Sequence, residues 1–213
     1  CERCDQHKLP ATSVNSLIID AQGQLWVMFW KAGLWRYDRQ ASRFVKMPQM
    51  GNSDNPFHLF QDNHRRYWIT TWGEGLYTMD GHGHIRKAHY APALGNKIKS
   101  VYSIVQDDKY GYLWTVGQYG FVMLKPHGDS LEEVTADDIT RQMSHFFNAI
   151  YKDPDGTVWI SAFNTGIYQL RYNELPFVNT PLDNICKQYG LDTDIRALFT
   201  DRDGDEWLSQ QGM

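Results

Sequence analysis

Apolar residues in this chain fall in short runs, each closed by a polar turn. Asn15-Ser16-Leu17-Ile18-Ile19 stops at Asp20, and residues 25–29 are apolar throughout. Residues 34–37 follow a glycine, and residues 43–47 close the group. Runs this short, bounded by Asp and Gly and rich in β-branched and aromatic residues, predict strands. No i, i+3, i+4 apolar stripe of any length argues for a helix. Residues 136–145 and 184–189 have room for one helical turn each.

The group repeats. Tryptophans stand at 26, 68, 114, 159 and 207, at spacings of 42, 46, 45 and 48. Each of Trp26, Trp68, Trp114, Trp159 and Trp207 sits between two mostly apolar neighbours. Upstream of them lie Asp20, Asp62, Asp107, Asp153 and Asp201, six residues before the Trp in four units and seven before in the third. Downstream, Gly33, Gly75, Gly120 and Gly166 each open a further apolar run. Asp accepts hydrogen bonds from the backbone of its own turn, and Gly supplies a positive φ. The second unit departs from the Asp-x-x-Gly turn, with Asn63-His64-Arg65-Arg66 and no Gly. A four-stranded meander repeating at this period predicts an all-β chain of propeller blades. The expected division is 1–13 as the end of a preceding blade or a linker, 14–55, 56–100, 101–146 and 147–194 as four blades, and 195–213 as part of a fifth. The phased Trp is read as core, packing one blade on the next. An open stack exposes two edges and its apolar faces, so the chain is expected to be a fragment of a longer ring.

Composition narrows the classes. Of 213 residues, 42% are hydrophobic, 22% charged and 14% aromatic, which excludes a disordered chain. The formal net charge of −4 gives no electrostatic case for nucleic acid. No run of about 18 apolar residues is present to span a membrane as a helix. The chain begins at Cys1 with no signal-peptide pattern, as a mature protein or an excised segment would. Cys1 and Cys4 form a CxxC with no second pair, so no metal site is expected, and Cys186 reads as a small hydrophobe.

The stretches NSLIIDAQGQLWVMFWKAGLWRYD and NAIYKDPDGTVWISAFNTGIYQLRY resemble the two-component regulator propeller repeat. The resemblance covers nearly the whole chain from residue 14. It implies a fragment of a seven-bladed ring in the periplasmic sensor region of a hybrid two-component system of Bacteroides-type bacteria. Such a receptor carries a downstream sandwich domain, a membrane span, a histidine kinase and a response regulator, none of which is present here. The implied function is recognition of a glycan-derived oligosaccharide to control polysaccharide-utilisation genes. The implied location is the periplasm, with membrane contact only through parts outside this chain, and no cofactor is implied. The implied partners are the oligosaccharide, the remaining blades and the sandwich, with a homodimer as a further expectation from exposed blade edges. Residues 153–159 are also similar to a sialidase Asp box, but the Asp and Thr spacings differ, so no sialidase activity is carried over.

Blade topology places a candidate ligand site. In an up-and-down meander the turns between second and third strands share one rim with the starts of the innermost strands. The turns contribute Trp30, Lys31, Trp72, Glu74, Gln118, Tyr119, Phe163, Asn164, Gln210 and Gln211. The strand starts contribute Asn15, Phe57, His58, Tyr102, Asn148 and Arg196. Aromatic faces mixed with amide and charged groups suit a sugar, whose C–H face stacks and whose hydroxyls hydrogen-bond. On the opposite face, Asp201-Arg202-Asp203-Gly204-Asp205 looks like a calcium loop but has Gly212 at position twelve. His82, His84 and His89 read as a solvated turn rather than a metal site, and Arg65-Arg66 as a small basic surface. Two alternatives stay open: a propeller enzyme, lyase or glycoside hydrolase, and a protein-binding scaffold. Glycoside hydrolysis needs two carboxyls, and the rim offers Glu74 alone. No catalytic residue is assigned.

Overall fold

The computed structural model describes residues 9–135, 146–163, 166–170, 180–181, 195–201 and 206–210, with only the backbone described at 180–181, 195–200 and 206–210. Four antiparallel four-stranded sheets and one two-stranded sheet follow one another along the chain. The first blade holds β1 (Val14–Ile19), β2 (Leu25–Phe29), β3 (Gly33–Asp38) and β4 (Arg43–Lys46). The second holds β5 (Pro56–Gln61), β6 (Tyr67–Thr71), β7 (Leu76–Met79) and β8 (Ile85–Lys87). A short helix, α1 (Pro92–Lys97), leads to the third blade, β9 (Val101–Gln106), β10 (Leu113–Gly117), β11 (Gly120–His127) and β12 (Ser130–Val134). The fourth holds β13 (Phe147–Lys152), β14 (Val158–Ala162), β15 (Gly166–Leu170) and β16 (Thr180–Pro181), and the fifth begins with β17 (Ile195–Thr200) and β18 (Glu206–Gln210). This is the all-β propeller segment that the repeat predicts.

Asp20, Asp62 and Asp153 each do two jobs. Asp20 Oδ1 accepts from the amides of Gln22 and Gln24, and Oδ2 accepts from Trp26 Nε1 at 2.8 Å. Asp62 repeats this with His64, Arg66 and Trp68 Nε1, and Asp153 with Asp155, Thr157 and Trp159 Nε1. One carboxylate thus folds the first hairpin turn and fixes the ring that packs beneath it. In the third blade the longer turn changes the partner: Asp107 Oδ2 takes the Tyr112 amide at 2.7 Å instead of the indole. The phased glycines Gly33, Gly75, Gly120 and Gly166 open the third strands with φ of 86°, 82°, 109° and 94°, a region closed to most side chains.

The phased tryptophans pack forward. Trp26 shares a core cluster with Leu59, Ile69 and Met79 of the second blade. Trp68 does so with Ile104, Leu113 and Leu124 of the third, and Trp114 with Ile150, Ile160 and Leu170 of the fourth. Burying one such side chain stabilises by about 1.5–3 kcal/mol or more. Inner-strand residues at one position pack backward: Leu59, Ile104 and Ile150 are buried on the blade before. Leu17, at the same position in the first blade, is 64% exposed.

The helix α1 departs from the sequence expectation, which gave the second blade no helix. Pro92 opens it, Leu94 and Ile98 enter the core, and the Ile98 amide closes it on Leu94 O. One turn with one buried apolar residue leaves no periodicity to read. The two segments expected to hold helical turns, 136–145 and 184–189, lie outside the described residues, as do Cys1, Cys4, Cys186 and 202–205.

Candidate functional site: the aromatic rim

Every inner strand carries the same irregularity. In the pairing of β1 with β2, Val14 faces Phe29 and Ser16 faces Met28, so Asn15 is an extra residue. The equivalent extra residues are Phe57, Tyr102, Asn148 and Arg196. A one-residue bulge re-aims its side chain and sharpens the local twist, and bulges gather near functional sites. These five bulges are the strand starts that the topology places on the rim.

The second-to-third-strand turns meet them through one recurring bond. The amides of Trp30, Trp72, Gln118 and Phe163 donate to the carbonyls of Ser13, Asn55, Ser100 and Phe146, each just before an inner strand. At Gly117, where β10 reaches this crossing, an added Cβ would run into the Ser100 carbonyl.

The rim is lined by a continuous aromatic strip. Trp30 lies 5.8 Å from Trp72 and 6.2 Å from Phe57, centroid to centroid. Phe57 is 5.1 Å from Tyr102, and Trp72 stacks on Tyr102 at 5.5 Å. Tyr102 meets Phe146 at 5.4 Å, and Phe146 meets Phe163 at 5.6 Å. Rings from four blades therefore touch in sequence, and Trp72, Phe146 and Phe163 are exposed to solvent. Among the described residues, Phe146 is the member that the sequence reading did not name. It precedes its strand by one residue, so no strand or turn pattern marks it.

Polar groups near the starts of the inner strands lack partners among the described residues. Tyr102 is only 8% exposed and its hydroxyl makes no hydrogen bond; Asn148 Nδ2 and His58 Nδ1 are likewise buried without one. An unmade bond at a buried polar group costs about 1–3 kcal/mol. Burial pushes the Tyr102 hydroxyl up to about 12, with Tyr119 adding to the shift. Burial alone holds the His58 imidazole down to about 4.

Other rim candidates are committed locally. Glu74 Oε1 accepts from the amides of Asn52 and Ser53 at 3.0 and 3.1 Å, so it fastens the loop between the first two blades. Asn15 donates to the Pro56 carbonyl at 2.8 Å. Lys31 holds a left-handed φ of 54° and its amide donates to Asn55 Oδ1, which leaves its side chain exposed at the rim. Tyr119 is also exposed. Gln118 donates through its backbone, as above. Asn164 and Gln211 lie outside the described residues, and Arg196 and Gln210 are placed by backbone alone. Among the described residues no group of three or more His, Cys, Asp or Glu gathers as a metal site. His89 is joined through its backbone to Asp129 and Leu131 at the edge of the third blade.

Blades of this build define a β-propeller segment. The family described as Two component regulator propeller matches residues 142–164, at the fourth unit. No curated protein matches the sequence. Among solved structures, the extracellular domain of the hybrid two component system BT4673 from B. thetaiotaomicron superposes with a TM-score of 0.72 at 18% identity, over 96% of this chain and 28% of that one. The extracellular domain of BT3049 from the same organism gives 0.67 at 15% identity, over 97% and 27%. Virginiamycin B lyase from Staphylococcus aureus gives 0.68 at 13% identity, over 93% and 64%. At these identities the likeness is one of fold. The chain spans less than a third of the length of the two-component structures. Among the described residues no helix is long and apolar enough to cross a membrane.

Proposed function

We propose that this chain is the extracytoplasmic, periplasmic ligand-sensing propeller segment of a hybrid two-component receptor. In this reading its rim receives a glycan-derived oligosaccharide, and the receptor controls polysaccharide-utilisation genes. The observation that carries the reading is the aromatic strip from Trp30 to Phe163, with the unpartnered Tyr102 hydroxyl and Asn148 amide at bulges of the inner strands. Rings supply faces for sugar C–H groups, and the two polar groups await hydrogen-bond partners that a polyol offers. The repeat at 142–164 and the fold shared with hybrid two-component ectodomains support the receptor context. The first blade supports partners in the same receptor: Leu17 and Ile19 are exposed on the flank where later blades bury Leu59, Ile104 and Ile150. A further blade fits that flank, and a sandwich domain would follow the ring.

The test is a calorimetric titration of the chain with neutral and acidic oligosaccharides. Trp72→Ala should weaken binding about tenfold or more, and Tyr102→Phe by about three- to tenfold, for loss of one hydrogen bond with the ring kept. Binding of no sugar, or binding indifferent to both variants, would remove the rim as a glycan site.

The lyase neighbours keep an enzyme reading in view. His58 is the imidazole at the rim, and it is held neutral with no carboxylate bonded to orient it. A general base of that kind needs such a partner within about 3 Å. Turnover of any sugar in the same titration would favour the enzyme.

A further inference from the structure

The opposite end of the molecule holds a second candidate, found by using the blades as controls for one another. On the Asp-turn face, the last inner-strand residue of a blade faces the turn of the blade before. Between the second and third blades, Gln106 closes this junction: its Oε1 accepts the Asn63 amide at 2.8 Å, and its Nε2 donates to Gly111 O. Between the third and fourth, Lys152 pairs with Asp108 at 2.5 Å. Between the first and second, the equivalent Gln61 turns back to its own Arg65 carbonyl at 3.3 Å. Among the described residues the blades are joined there from behind, by the Tyr67 hydroxyl donating to Asp20 Oδ2 at 2.7 Å, with Gln22 Oε1 at 3.2 Å as a second acceptor within reach.

The junction is left open as two adjoining cavities of about 530 and 370 Å3, which share Asp20, Gln22, Gln61, Arg65 and Tyr67. Small-molecule sites fall in this size range, roughly 300–1,000 Å3. The charges lining them are unevenly used. Both oxygens of Asp20, Asp62 and Asp80 already accept hydrogen bonds. Arg36 and Arg65, both exposed, by contrast make no side-chain hydrogen bond or ion pair with the described residues, and Arg36 acts only through its charge on Asp38. Their neighbour Arg66 is engaged by the Gly128 carbonyl and by the Trp68 ring.

Arg65 also stands where the turns of the first, third and fourth blades place Gly23, Gly111 and Gly156. It adopts the same left-handed backbone, φ 62°, at a steric cost that glycine would avoid. Strained, sparsely populated backbone of this kind clusters at functional sites.

We propose that this open junction is a binding site for a small oxyanion ligand: a carboxylate, sulfate or phosphate carried on a body the size of one sugar ring, held by Arg36 and Arg65. Guanidinium groups bind such anions through paired, charge-assisted hydrogen bonds. None of the stacked rings of the aromatic rim lines these cavities, although the larger one reaches His58.

The test is calorimetric titration of the full chain with glucuronate, galactose 6-sulfate and glucose 6-phosphate, with glucose and inorganic sulfate as controls, in about 0.15 M NaCl to screen loose association. One or more of the charged sugars should bind, and glucose should not; which one binds identifies the oxyanion. Arg65→Gly should cut that affinity about tenfold or more while the melting temperature holds or rises, because glycine relieves the backbone. Arg36→Gln should cut it similarly. Charged sugars that bind no better than glucose would overturn the proposal, as would Arg65→Gly binding undiminished. Inorganic sulfate matching the sugars would also overturn it, since the site would then hold an adventitious ion only.

Discussion

At the scale of single residues, His58 couples stability to pH. Its imidazole is held down to about 4 by burial, whereas in the unfolded chain it titrates near 6.5. Between those values the unfolded state binds a proton that the folded state refuses, so acidification favours unfolding. Stability should therefore be level in this group above pH 6.5 and fall as pH drops from 6.5 toward 4. Urea denaturation at pH 7 and at pH 4.5 measures the difference, and His58→Gln should shrink it. An unchanged difference in the variant would assign the acid sensitivity elsewhere. The phased Asp shows the residue scale from the other side. Its place in the turn is readable from the Asp-x-x-Gly spacing, and its bond to the indole six residues on is not. Only the geometry shows that the seventh residue inserted in the third unit moves Asp107 Oδ2 from an indole to the Tyr112 amide.

At the scale of elements, the strands and their order are legible because each is a short apolar run between turn signals, and because five copies share one phase. The rim is legible in part, since strand alternation and meander topology put Trp30, Trp72, Tyr102 and Phe163 at one end. Contacts between blades are not, because they join residues dozens of positions apart. Phe146, the open junction and the local commitments of Glu74 and Asn15 belong to this class. The crossing at Gly117 gives this scale its prediction. A Cβ there meets the Ser100 carbonyl, which belongs to backbone and cannot rotate away. Gly117→Ala should cost about 3 kcal/mol by overpacking, measured by denaturant melts, whereas Gly81→Ala, with open space around its Cβ and no left-handed backbone, should cost less. Equal losses would mean that the crossing does not resist a Cβ at Gly117.

At the scale of the whole molecule, the blades stack by a directional rule: indole forward, inner-strand Leu or Ile backward. The first blade obeys the forward half and presents the backward half to solvent. Leu17→Lys should therefore change the stability of this chain by no more than about 0.5 kcal/mol, while Leu59→Lys, which buries a charge between blades, should cost more than about 3 kcal/mol. Parallel denaturant melts decide it, and a large loss at Leu17 would mean that something already covers that flank. The bulges carry a different consequence. At the bulged positions the residues are Asn, Phe, Tyr, Asn and Arg, yet two places further along each strand the residue is Leu or Ile. The extra residue insulates what the rim displays from what the core requires. A protein engineer could treat the five positions as a small combinatorial alphabet, rewriting the chemistry around the mouth letter by letter while the grammar of blade packing stays as it is.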